Sequence, residues 1–135
     1  MKSYQPHIFV VLFILLQFCG ENPVEKGKKA FLEKNYNESI KLLTSSDIAK
    51  QSRTDQINEV IVLSYMYRGK ELYEKTKNVK SFSGNYKSSL KYLPDSVSSN
   101  FKTEYSILLG DLSEAYAKAK AENEFEQDKF NKNSI

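Results

Sequence analysis

The stretch "GKKAFLEKNYNESIKLL", residues 27–43, contains two helical phrases and the break between them. With Val24 just upstream, Gly27, Phe31 and Leu32 fall near one face of a first helix. Tyr36, Ile40 and Leu43 then repeat at helical spacing in a second. The polar run around Asn35 interrupts the two, and Thr44 to Asp47 is a loop-like polar cluster that ends the second. A pair of short amphipathic helices on a tight link must bury its apolar stripes against further helices, so the fold is set by the segments on either side of this pair.

Working upstream, Asn22-Pro23 suits a helix start: an amide side chain stands at the cap, and proline sits where its missing N–H does no harm. Before it, Ile8 to Leu16 is an unbroken run of nine apolar residues behind Lys2. That length fits the core of an export signal and falls short of the roughly 20 residues a spanning helix needs. Downstream, a longer helix begins near Thr54, with Ile57, Val60, Ile61, Ser64, Arg68 and Leu72 on the i, i+3, i+4, i+7 rule. Its apolar interior extends over Ile61, Val62, Leu63, Tyr65 and Tyr67, which implies contact on more than one side. Asn78 to Asn85, with Ser81, Ser83 and Gly84, reads as a connector. Tyr86, Leu90 and Leu93 form a short fourth helix stopped by Pro94. A fifth starts near Ser99 and carries Phe101, Tyr105, Leu108, Leu112, Ala115, Tyr116 and Ala119 before turning polar beyond Ala121. No segment alternates with period two, and the expected class is all-α, about five helices in antiparallel pairs.

Leu16-Gln17-Phe18-Cys19 resembles a bacterial lipobox, in which the cysteine is thioether-linked to diacylglycerol, carries acyl chains such as palmitate, and becomes the mature amino terminus. Gln17 and Phe18 stand where the pattern has small residues, so an ordinary signal peptide cut nearby and an uncleaved anchor are the competing readings. The lipobox resemblance implies export, lipidation at Cys19 and attachment to a bacterial membrane, at the outer membrane or the periplasmic face. Acyl burial contributes roughly 0.8 kcal/mol per methylene, and stable anchoring takes more than one chain.

The 27–43 stretch also resembles a tetratricopeptide unit. Gly27 and Ala30 take the first-helix places, Tyr36 the turn aromatic, and Ser39 with Leu43 the second-helix pair. A second copy is read in Leu63-Ser64 with Tyr67, then Gly84 and Tyr86, then Ser89 with Leu93, and a half-copy starts at Leu109-Gly110. Small residues at Gly27, Ser64 and Gly110 would let helices approach closely, while Tyr36 and Tyr86 plug the turns. An unrelated five-helix bundle is the alternative. The implied organisation is a signal peptide over 1–18, a lipidated linker over 19–22, a helical tetratricopeptide-like domain over 23–128 and a flexible tail over 129–135. A groove formed by the first helices of successive units would be faced by Lys28, Phe31, Asn58, Tyr65, Arg68, Asp111 and Glu114.

Composition narrows the chemistry. His7, the single histidine, lies in the leader, and Cys19 is the single cysteine. A lipidated mature chain then has no imidazole or free thiol for a triad or a zinc site. Its scattered glycines form no phosphate loop. No cofactor, metal or catalytic residue is expected. Ser88 to Lys91 matches S-x-x-K without the companion elements of acyl enzymes, and Glu122 with Glu126 reads as solubilising charge. Net charge is only +3, and of the basic residues only Arg53 and Arg68 are arginine, which argues against nucleic acid as a partner. Charge is uneven: seven basic and two acidic residues between Arg68 and Lys91 leave +5, while six acidic and two basic ones between Asp111 and Asp128 leave −4. The basic middle could face anionic headgroups or an acidic partner. Two functions emerge as expectations: an envelope adaptor that binds another envelope protein through the groove, or a structural or surface-exposed helical lipoprotein without a peptide ligand. Intact-mass analysis of the detergent-extracted protein should give a species starting at residue 19 with added acyl mass; an unmodified chain beginning elsewhere removes the anchor.

Overall fold

The computed structural model describes residues 22–45, 47–51 and 53–132, without the side chains of 48, 49 and 127–132. The leader, Cys19, the linker up to residue 21 and the last three residues of the tail lie outside the described residues. Among the described residues the fold consists of six α-helices and one short 3-10 turn, with no strand: α1 Pro23–Leu32, α2 Tyr36–Ser45, α3 Asp47–Gln51, α4 Asp55–Thr76, α5 Val79–Ser89, the turn Leu90–Tyr92, and α6 Ser99–Lys132. The chain is all-α, as its periodicity indicates.

Local chemistry places each boundary. Asn22 accepts from the Glu25 amide at 2.9 Å and Thr54 from the Ile57 amide at 3.3 Å, capping α1 and α4. Two helix ends share one device. Lys34 and Lys77 take left-handed backbone angles, with φ of 60° and 56°, and each is followed by asparagine. Asn35 N–H closes α1 by donating to Ala30 O at 2.8 Å, while its side chain accepts from Glu38 N–H at 3.3 Å to open α2. Asn78 accepts from Lys80 N–H at 3.0 Å and opens α5 in the same way. The expected connector over Asn78 to Asn85 is therefore wrong. Its serines and Gly84 sit within α5, because the Asn78 cap starts a helix and Phe82 anchors it in the core with no exposure at all. The expected fourth helix from Tyr86 through Leu93 divides between the end of α5, which holds Tyr86, and the 3-10 turn, with Leu90 and Leu93 exposed rather than in the core.

α4 is the centre. It packs against α1, α2, α5 and α6, and buries Ile57, Ile61, Val62, Leu63, Ser64, Met66 and Gly69 around its circumference. One apolar cluster joins its first half to Val24 and Leu43, and another joins Val62, Leu63 and Met66 to Phe82, Phe101, Leu108, Leu112 and Ala115. Small residues set the spacings. A Cβ on Gly27 would lie 2.6 Å from Leu43, so α1 and α2 need glycine there. Ser64 Oγ lies 2.7 Å from Val60 O and 3.1 Å from Ser39 Oγ; since one hydroxyl proton serves the carbonyl, Ser39 donates to Ser64, and both buried hydroxyls are satisfied. Gly110 is not a close-approach residue, because a Cβ there would meet no atom within 4 Å. The role belongs to Gly69, where a Cβ would lie 2.8 Å from Asn85 Cβ, 2.9 Å from Phe82 Cδ2 and 3.2 Å from Phe82 Cα.

Gly69→Ala should therefore cost about 1–3 kcal/mol by overpacking. Gly110→Ala should instead add up to about 1 kcal/mol by helix propensity. Urea unfolding followed by far-ultraviolet dichroism checks both signs.

Candidate functional site

The end of α1, the link at Lys34 and one side of α4 and α6 enclose a cleft of about 510 Å³. Phe31 and exposed Leu32 give it an apolar wall, Tyr67, Lys70, Glu71 and Glu74 of α4 form its floor, and Glu104 of α6 closes it. A second depression of about 470 Å³ continues along α4 and α6, sharing Lys70 and Glu74 and adding Tyr73, Asp111, Glu114 and Lys118. Lys70, Glu74 and Tyr67 reach one line because steps of 3 and 4 residues return to one helix face.

Three aromatic rings fix the wall. Tyr36 and Tyr67 stack at 5.3 Å between centroids, and Phe31 lies tilted 5.9 Å and 6.2 Å from them. The Tyr67 hydroxyl donates to Glu104, which ties α4 to α6. Lys70 Nζ lies 2.8 Å from Asp111 Oδ2 and joins the same two helices. The pairs of Lys28 with Glu25, Lys41 with Glu38 and Lys118 with Glu114 instead stay within one helix, three or four positions apart. Burial, then the hydrogen bond to Glu104, holds the Tyr67 phenol well above its ordinary range. Burial also raises Tyr36, with the Glu71 and Glu104 charges adding to it. The bond to Asp111 raises Lys70. The cleft thus holds neutral phenols and fixed charges, a chemistry of recognition.

The residues expected to face a groove divide between two sides of α4. Phe31 forms the cleft wall, and Asp111 and Glu114 line the second depression. Lys28 pairs with Glu25 at 3.1 Å along α1 and does not line the cleft. Tyr65 and Arg68 lie on the far side. Arg68 Nε donates to Asn85 Oδ1 at 2.7 Å and Nη1 to Asn37 Oδ1 at 3.1 Å, and the guanidinium lies 5.0 Å from the Tyr65 ring. Tyr65 stacks on Tyr92 at 6.0 Å, and Arg53 lies over the other ring of that pair at 5.3 Å. Asn58 has a buried Oδ1 without a protein hydrogen bond. The physical reason for the division is that residues two apart on a helix are separated by roughly 200°, so Tyr67 and Lys70 oppose Tyr65 and Arg68. Tyr67, Lys70, Glu74 and Glu104 are among the cleft residues that sequence reasoning missed, as are Leu32, Lys34, Tyr36 and Glu71, although Tyr36 and Tyr67 already stood out as repeat aromatics. Among the described residues, no group of three His, Cys, Asp or Glu side chains could hold a metal ion, and no helix is long and apolar enough to cross a membrane.

The raised phenols carry a sign. A group whose folded pKa exceeds its unfolded value, 10.0 for tyrosine, stabilises the fold fully below that value, and its contribution is lost as pH rises above it. Stability should stay flat toward neutral pH and fall above pH 10, the lower edge of the window set by Tyr36, Tyr65, Tyr67 and Tyr105. Tyr67→Phe should shallow that alkaline slope, read from urea midpoints across the range.

Comparison of the chain with family models, curated proteins and solved structures finds no match.

Proposed function

We propose that this chain is an exported, lipid-anchored helical-repeat adaptor of the bacterial envelope, held by Cys19 and engaging a segment of another envelope protein in the cleft of α1, α4 and α6. Two features support the repeat reading. Each of α1, α2, α4 and α5 packs on a long helix later in the chain, and α1, α4 and α6, the first helices of successive pairs once the short α3 is set aside, meet in sequence through α4, the succession a short tetratricopeptide-like solenoid would have. Gly27, Ser39, Ser64 and Ser89 are buried at the small places of that pattern.

The observation that carries the binding reading is the cleft's make-up. An exposed Leu32, 78% accessible, stands beside Phe31 and a tyrosine pair, above a floor where Lys70 lies with Glu71 and Glu74. Such a mixture of apolar anchor and oriented charge suits a peptide or helix better than a small apolar ligand. Helical modules of this length offer a short groove, so the interaction is of modest affinity unless joined by another contact.

Replacing Glu74 and Glu104 together by lysine in the full chain should cut recovery of its envelope partner at least about tenfold. The thermal midpoint of the same double variant, and of Tyr67→Phe, separates loss of binding from loss of fold. Equal recovery with an intact fold would leave the anchor, rather than the cleft, as the working part. Cys19→Ser should release the chain from the membrane fraction; retention counts against lipid anchoring.

A further inference from the structure

One flank of α6 carries a pattern whose two end residues lie outside both depressions. Ile107, Glu114, Lys118 and Phe125 succeed one another at steps of 7, 4 and 7 residues. At about 100° per residue all four stay within roughly 40° of one bearing, a single line about 27 Å long down the helix. The order of steps is the same read from either end. Ile107 is 59% exposed and Phe125 69%, the two largest apolar side chains on that flank. From Tyr116 to Glu126 no side chain is buried, although Lys118, Ala119 and Glu122 border the depression along α4. A bare helical segment of that length is marginal in water.

Beside the line lie Gly110, Ala117 and Ala121, and a Cβ at Gly110 would meet no atom within 4 Å. A second helix could approach there to the short end of the usual spacing of about 8–10 Å. Glu114 and Lys118 are already joined within α6, with Nζ 2.7 Å from Oε1, and both are well exposed.

We propose that α6 docks antiparallel on the α6 of a second copy of this chain, about a two-fold axis level with Tyr116. A two-fold contact must be self-complementary, and this one is. Residues whose numbers are equally far above and below 116 face each other. Ile107 therefore meets Phe125 of the second copy, and Glu114 meets its Lys118, each twice. Gly110 falls beside Ala121 of the second copy, and the two Ala117 residues lie next to each other. The charges select the direction. A parallel pair in register would oppose Glu114 to Glu114 and Lys118 to Lys118, whereas the antiparallel pair opposes unlike charges at both positions. None of the four residues lines the cleft at Tyr67 and Glu104, whereas Glu114 and Lys118 border the second depression, which the second copy would partly cover; the inference does not rest on the adaptor reading.

The test is site-specific photo-crosslinking of the full chain in the cells that express it, with the photoreactive residue at position 107. The expected product has twice the chain mass and joins position 107 to the peptide containing Phe125. Glu114→Lys alone and Lys118→Glu alone should each reduce that product at least roughly tenfold, because like charges then face each other twice. The double reversal should restore it, since the pairing is exchanged rather than broken. All four positions are exposed, and far-ultraviolet dichroism of each variant verifies the fold. Absence of the product in the unaltered chain, a crosslink from 107 to 107, or equal yields in the single and double variants would each overturn the proposal.

Discussion

The closeness of α5 to α4 at Gly69 is the constraint on which the rest of the stack depends. With hydrogen alone at that position, Phe82 and Asn85 can lie against the α4 backbone, where a methyl group would come within 3 Å of both side chains. Phe82 is then fully enclosed, and the apolar surface it shares with Met66 and Val62 becomes the seat for Phe101, Leu108 and Leu112 of α6. Moving α5 outward would lift α6 with it, and the hydrogen bond from Tyr67 to Glu104 and the pair of Lys70 with Asp111 would open together. A packing distance in the interior thus sets the width of a surface cleft.

Charge then works within that frame. The surplus of lysine in the middle of the chain and the surplus of carboxylate toward its end partly offset each other, because α4 and α6 lie side by side. Where Lys70 meets Asp111 the two are each about one-third exposed, so their attraction is screened and orients the helices more than it holds them. The far side of α4 obeys another rule. There both arginines of the chain stand over the stacked Tyr65 and Tyr92, and the planar guanidinium groups cover ring faces that water would otherwise wet.

Much of the fold was legible in the sequence. The caps at Asn22 and Thr54, the break at Asn35, the long helix through Ile61 and the stripe from Phe101 to Ala115 arise from period and capping chemistry. The start of α5 was hidden by composition, since Ser81, Ser83 and Gly84 resemble a loop. The signal was present all the same: Lys77-Asn78 repeats the Lys34-Asn35 junction that ends one helix and opens the next. The cleft was harder to read for a physical reason. A helix buried around its circumference has no single apolar face, so its pattern does not say which side meets solvent. Tyr65 and Tyr67 look equivalent in sequence, and only the position of α1 and α6 makes one a cleft residue and the other part of the far stack. Exposed Leu32, Leu72 and Tyr116 mark the same limit, apolar residues in helical phase with a core they do not enter.

The two tyrosine stacks have an optical consequence. The chain contains no tryptophan, so its longest-wavelength near-ultraviolet signals come from phenols, and the paired rings couple most strongly to one another. Tyr36 with Tyr67 borders the cleft, and Tyr65 with Tyr92 lies across α4 from it. The molecule therefore carries a reporter on one face and an internal reference on the other, written into its own absorption without any label.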